Sequence, residues 1–238
     1  MSSTFGFNTL GELGFLSEYL KHTNQALTEV IKERESEFQK SIDRLSSDGV
    51  SNINNIYGDP EYMTDLELKA DSCAQGVSQA HDIASLFYSS FIVLWFSIIE
   101  QRLFALCKDL DLKMEIKIDS CENLGKGIDR AKKFLLKTKD YQIDPSHWGE
   151  LIKIRALRNN LVHNGLMLPL NDELLNSEVA LAPDPDIDKV FLDYLHKHNL
   201  LSEDSVYLLP QLDYCEYLVE FGENLLEKLG KDLDAWNV

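Results

Sequence analysis

Apolar residues recur at steps of three, four or seven along the start of the chain, with mostly polar residues between them. This spacing places the apolar side chains on one face of an α-helix. The pattern predicts an amphipathic helix from about Leu10 to Leu45. Its expected buried stripe consists of Leu13, Leu16, Leu20, Leu27, Ile31, Phe38, Ile42 and Leu45. The following stretch, 46–60, is rich in Ser, Asn, Asp and Gly and predicts a linker.

A second long helix is predicted from about Asp65 to Leu110. Its later half, 83–106, is apolar nearly all round, which is typical of a helix buried at the centre of a bundle. Serine and charged residues interrupt this run, so its unbroken part is too short to span a membrane.

The second half of the chain predicts several shorter helices. The segment 120–139 has a core face made of Leu124, Ile128, Ala131, Leu135 and Leu136. A further helix begins at Asp144-Pro145-Ser146 and ends at Asn164-Gly165, because proline favours a first helical turn and glycine accepts a positive φ after the last one. Patterns at 186–198 and 210–231 also predict helices, and 178–183 predicts a short strand or an irregular loop.

No alternation of strands with helices appears, so the expected fold class is all-α. The sequence predicts a helical bundle of five to seven helices with a long N-terminal helix. Residues 1–60 are expected to form that long helix and a linker packed on the bundle. Residues 61–238 are expected to form the helical domain itself.

Composition limits the possible functions. The chain has 238 residues, a hydrophobic fraction of 44% and a formal net charge of −17, so it can bury a core and is not an open, non-specific nucleic-acid binder. The charge does not exclude an enzyme with a locally basic cleft.

The four cysteines form no Cys-x-x-Cys pair, and the N-terminus lacks the pattern of a secretory signal, which favours a reduced, cytoplasmic compartment. No metal or cofactor is predicted.

The segment Arg158-Asn159-Asn160-Leu161-Val162-His163 is the strongest candidate for chemistry. Asn159 and His163 are four residues apart and share a helix face, and the long side chain of Arg158 reaches the same region. Ile154, Leu157, Leu161 and Val162 of the same helix are expected to form the apolar stripe beside them.

Two interpretations of this segment compete. In the functional one, Arg158 offers a planar cation for phosphate oxygens, and His163, near the negative end of the helix dipole, moves a proton. One such cation and one imidazole are the minimum for metal-free RNA cleavage by an attacking 2′-hydroxyl. In the structural one, the segment is a surface helix end with a capping histidine and a solvated arginine.

Arg158-Asn159-x-x-x-His163 resembles the arginine, polar residue and spaced histidine of the HEPN superfamily. The approach Glu150-Leu-Ile-Lys-Ile-Arg-Ala-Leu, the exit Val-His-Asn-Gly and the earlier helix around Glu100 are also similar to members of it, over residues 80–230. The resemblance implies a helical bundle that forms a homodimer with two motifs facing one cleft. It also implies a metal-independent endoribonuclease of toxin–antitoxin or antiphage defence systems, with RNA as substrate and an antitoxin or regulatory protein as a possible partner.

Carried over to this chain, the resemblance implies that Arg158 and His163 are catalytic and that Asn159 orients the histidine or the phosphate. Glu100 is a supporting candidate, and a buried carboxylate paired with an arginine is the equal alternative for it. No membrane partner is expected.

A basic island surrounds the candidate segment. Residues 121–163 contain nine Lys and Arg against five Asp and Glu, in a chain that is otherwise strongly acidic. Lys153, Arg155, Arg130 and Lys133 are therefore expected to bind RNA, although a solvated helix face explains the same charges equally well. Three functions stay open from the sequence: a HEPN-type endoribonuclease, a non-catalytic HEPN-like binding or assembly module, and an unrelated helical interaction protein.

Overall fold

The computed structural model describes residues 4–52, 65–114, 126–139, 143–168, 189–202 and 207–234. These residues form an all-α fold of six helices, which confirms the predicted fold class. In chain order they are α1 (Thr4–Asn52), α2 (Asp65–Met114), α3 (Gly127–Lys139), α4 (Pro145–Asn164), α5 (Lys189–Lys197) and α6 (Leu212–Asp234). Within the described ranges the only extended pairing is two isolated bridges, Met167 with Tyr207 and Leu201 with Leu208. The stretch 178–183 lies outside the described residues.

The chain forms two compact units, one made of residues 1–18 and 88–238 and the other of residues 19–87. In the smaller unit α1 and α2 lie side by side. Tyr19 and Phe87 bring their ring centroids to 5.8 Å, and His81 Nε2 lies 3.9 Å from Glu35 Oε1. Higher numbers on α1 therefore face lower numbers on α2, and the two helices run antiparallel.

Helix α1 is longer than its pattern predicts. It continues to Asn52, so the first part of the expected linker is helical, and 53–60 lies outside the described residues. Leu13, Leu16 and Leu20 are buried, but the later members of the predicted stripe are only half-buried and Ile42 is exposed. Among the described residues of the smaller unit, α1 has only α2 beside it, and one helix does not cover a full stripe.

The later half of α2, which is apolar nearly all round and was expected at the centre of the bundle, is buried along one face. Trp95, Ile99 and Leu103 are fully buried, whereas Leu94 and Phe104 on the opposite side are exposed. The helix is therefore covered on one face only. By length and composition alone its stretch Glu67–Lys108 would also suit a membrane span, as core helices of globular proteins often do. The serine interruptions are thus a weaker argument against a span than the sequence suggested.

The core of the larger unit forms where α2, α3, α4 and α6 bury their apolar faces. Ile128, Ala131 and Leu135 of α3 are buried as predicted, but Leu136 is exposed, and Leu124 lies outside the described residues. On α6, a Cβ at Gly222 would lie 3.1 Å from the ring of Trp95. The absence of a side chain at Gly222 therefore lets α6 approach the largest buried residue of α2 closely.

Both ends of α4 confirm the local signals of the sequence. Asp144 is the N-cap, its carboxylate accepts a hydrogen bond from the Ser146 backbone at 2.9 Å, and Pro145 is the first helical residue. Hydrogen bonds from Lys228 and Ser146 hold the pKa of Asp144 well below its ordinary value. At the other end Gly165 adopts a φ of 63°, which a residue without a Cβ tolerates at little cost.

Candidate functional site

Helix α4 holds the candidate motif by burying one side of itself. Leu151, Ile154, Leu157 and Leu161 are buried, which confirms three of the four predicted stripe residues and adds Leu151. Val162, the fourth, is 47% exposed, so this prediction is wrong. Position 162 lies about 100° round the helix from Leu161, beyond the edge of the buried face.

Arg158 lies at the border between core and surface. Its guanidinium carbon is 6.0 Å from the ring centroid of Phe96 on α2, close enough for a cation–π contact. One terminal nitrogen donates a hydrogen bond to Asn159 Oδ1 at 3.1 Å, while Nε is buried and has no hydrogen-bond partner among the described residues. The side chain is therefore held on both sides, and the described part of the chain does not use all of its hydrogen-bonding capacity.

Asn159 and His163 are both exposed, one turn apart on the same face of α4. Within the described part of the chain, the imidazole of His163 makes no hydrogen bond or ion pair. The arrangement thus brings together a held arginine, an asparagine bonded to it and an accessible imidazole at the last turn of one helix.

Asn160 is a residue that the sequence analysis did not single out. It is 9% exposed, its amide donates to the Met167 carbonyl at 3.1 Å, and its Oδ1 accepts from Asn164 at 2.9 Å. These bonds tie the segment after α4 back onto the helix. A signal was available, because position 160 follows the buried Leu157 by three and therefore lies on the buried side of the helix.

Glu100 is a residue of α2, and its side chain lies against the start of α3. A Cβ at Gly127, which has a φ of 59°, would overlap Glu100 Oε1. Among the described residues Glu100 makes no ion pair. Arg158 contacts α2 at Phe96, one helical turn before Glu100. The carboxylate therefore faces the positive end of the α3 dipole, and no contact joins it to Arg158.

The four cations expected to bind RNA differ in their surroundings. Lys153 lies 3.7 Å from Glu150 Oε2 and over the ring of Tyr194, and Arg155 forms an ion pair with Asp129. Arg130 is half-buried and Lys133 is exposed. The charges of Lys153 and Arg155 are thus compensated inside the chain.

A cluster of aromatic and charged side chains joins α4, α5 and α6. The ring of His198 lies 4.6 Å, 5.3 Å and 4.8 Å from those of Tyr194, Tyr214 and Tyr217, measured between centroids. Tyr217 donates a hydrogen bond of 2.7 Å to Glu150, and the hydroxyls of Tyr194 and Tyr214 are 2.7 Å apart.

Burial is the main reason why the pKa of His198 is lowered, and Lys197 and Lys153 act in the same direction while Glu150 opposes them. Burial likewise raises the pKa of Tyr194 and Tyr214. These side chains are neutral near pH 7 and fix α5 against its neighbours. Among the described residues, no three His, Cys, Asp or Glu side chains are grouped as metal ligands.

Comparison of the chain with protein-family models, with curated proteins and with solved structures finds no match. The similarity to the HEPN superfamily therefore depends on the residues of the motif and on their placement in α4.

Proposed function

We propose that this protein is a metal-independent endoribonuclease of the HEPN type, acting as a toxin or as an effector of antiphage defence in the cytoplasm. The observation that carries the proposal is the end of α4. There Arg158 is held between Phe96 and Asn159, while Asn159 and His163 stay exposed on one face.

In the proposed reaction the ribose 2′-hydroxyl attacks the adjacent phosphorus and the bond to the 5′-oxygen breaks, which leaves a 2′,3′-cyclic phosphate and a 5′-hydroxyl end. Arg158 stabilises the negative charge that develops on the phosphate oxygens, since its guanidinium is permanently charged. His163 accepts the proton of the 2′-hydroxyl or delivers one to the leaving oxygen. Asn159 fixes the orientation of the guanidinium.

A homodimer with two motifs facing one cleft is part of this proposal. Asn159, Val162 and His163 form an exposed surface at the end of α4 that contains both polar and apolar side chains. Pairing two copies there would cover Val162 and place two arginines and two histidines around one strand.

Induction of the protein in a bacterial host tests the proposal, with total RNA examined for new fragments. We expect growth arrest and discrete fragments from the native chain, and neither from His163→Ala or Arg158→Ala at equal expression. His196→Ala is the matched control, because His196 is also exposed and lies near the end of another helix. Fragments that persist in His163→Ala would refute the assignment of the site.

A non-catalytic assembly module is the second candidate. The exposed apolar side of α2 in the larger unit, with Leu94 and Phe104, favours it because exposed apolar surface is typical of an interface. Intact RNA on induction, together with a self-association in sedimentation that Leu94→Lys abolishes, would select this function over the nuclease.

A further inference from the structure

Helix α3 carries a row of positive charge that is separate from the candidate motif. Arg130, Lys133 and Lys137 follow one another at steps of three and four, so they share one face, and Lys126 lies just before the helix. The opposite face is buried through Ile128, Ala131, Phe134 and Leu135. Lys126, Lys133 and Lys137 are exposed, so the row faces solvent.

Two described carboxylates, Asp129 and Glu100, lie at this helix. Asp129, the acidic residue of the helix, forms an ion pair with Arg155 of α4. Glu100 lies against Gly127 at the start of the helix. In a chain with a formal net charge of −17, this face therefore keeps a local positive charge.

The chemistry of the row suits phosphates and not bases. Three of its four cations are lysine ammonium groups, which interact with phosphates as point charges, and the single aromatic ring of α3, Phe134, is buried, so the helix offers no ring on which a base could stack. From Lys126 to Lys137 the rise is about 16 Å, the axial length of roughly four or five phosphates of one strand.

We infer that the exposed face of α3 is a docking site for the ribose-phosphate backbone of RNA, bound without reading the bases. The ion pair between Asp129 and Arg155 joins α3 to the helix that carries Arg158, so the docking row and the motif lie on two helices that contact each other. This inference rests on the proposed nuclease function for its substrate. It adds that the substrate is a polynucleotide extending several nucleotides from the cleaved bond.

The test compares two variants with the same change of charge in a His163→Ala background, which keeps the RNA intact. In the first, Lys126, Lys133 and Lys137 become Gln; Arg130 stays, because it has an interaction of its own within the chain. In the control, the exposed Lys21, Lys32 and Lys69 become Gln. Fluorescence anisotropy then follows the binding of a long unstructured oligoribonucleotide over a range of salt concentrations.

We expect the α3 variant to bind about tenfold to a hundredfold more weakly at about 0.1 M salt and to lower the slope of log K against log salt by about 2. The control variant should bind like the parent. Equal binding of the RNA by both variants overturns the inference. Vesicles of phosphatidylserine serve as a second anionic ligand. If the α3 variant loses binding to these vesicles but binds RNA like the parent, the inference is also overturned.

Cleavage assays with His163 restored separate this inference from the proposed function. The α3 variant should lose kcat/KM on the long RNA but not on a trinucleotide, which is too short to reach the row. Binding that depends on α3 without cleavage of any RNA would keep the docking site and reject the nuclease. Cleavage that is equally efficient in both variants on the long RNA would reject the docking site and keep the nuclease.

Discussion

Replacing Asn160 should weaken the fold and leave the candidate chemistry in place, whereas replacing its neighbour Asn159 should do the opposite. Asn160 is buried and makes two hydrogen bonds, to the Met167 carbonyl and from the Asn164 amide. Asn159 is exposed, and among the described residues its side chain bonds only to Arg158. The two asparagines are adjacent, so the pair provides its own control.

The magnitude follows from the contacts. Each intramolecular hydrogen bond contributes about 1 kcal/mol, and a buried acceptor left without its donor costs about 1–3 kcal/mol. Asn160→Ala should therefore lower the free energy of unfolding by about 2–3 kcal/mol. Asn159→Ala should lower it by less than about 0.5 kcal/mol, since an exposed side chain exchanges its bond for one with water.

Urea unfolding of the larger unit, followed by circular dichroism and tryptophan fluorescence, measures both changes. If the proposed function is right, RNA cleavage by Asn159→Ala should fall by about tenfold or more, because Arg158 loses its bonded neighbour. Asn160→Ala should cleave at the native rate at temperatures where it remains folded. Equal losses of stability in the two variants would refute this division of roles.

Three further changes test other contacts. Gly127→Ala should destabilise the protein by about 1–2 kcal/mol, because a residue with a Cβ is strained in the left-handed backbone conformation found there and the Cβ displaces the Glu100 carboxylate. In a Glu100→Ala background urea unfolding should show a smaller cost, and an unchanged cost would contradict the contact. Gly222→Val should lower the free energy of unfolding by about 1–3 kcal/mol, because its side chain clashes with the ring of Trp95. The melting temperature should fall, and an unaltered melting temperature would show that α6 can shift away. The pKa of His198 is lowered in the folded protein, so the stability that its neutral form contributes is present at neutral pH and decreases as the pH falls below 6.5, the pKa in the unfolded chain. His198→Phe should therefore make the urea midpoint less dependent on pH between neutral and acid pH. A variant whose midpoint changes with pH as in the native protein would contradict this.

Local sequence determined where the helices lie. The N-cap Asp144, Pro145 and Gly165 define α4 correctly because capping and a positive φ depend on neighbouring residues alone. Apolar periodicity likewise located α2 and α6 to within a few residues. Apolar periodicity failed at the end of α1, where the chain stays helical although its apolar stripe has ended.

Only tertiary packing decided what each side chain in those helices does. Asn159 and Asn160 are chemically identical neighbours, and helical spacing places Asn160 on the buried side. The carbonyl that accepts its hydrogen bond, however, comes from Met167 in the segment that folds back after α4. In the sequence, Lys153 and Arg155 are cations of the same basic island as the exposed Lys133. In the fold, Glu150 compensates the charge of Lys153 and Asp129 compensates that of Arg155. A periodic pattern specifies which residues share a face. The neighbour that covers that face, and the charge that meets it, come from distant parts of the chain, so they are fixed only when the chain has folded.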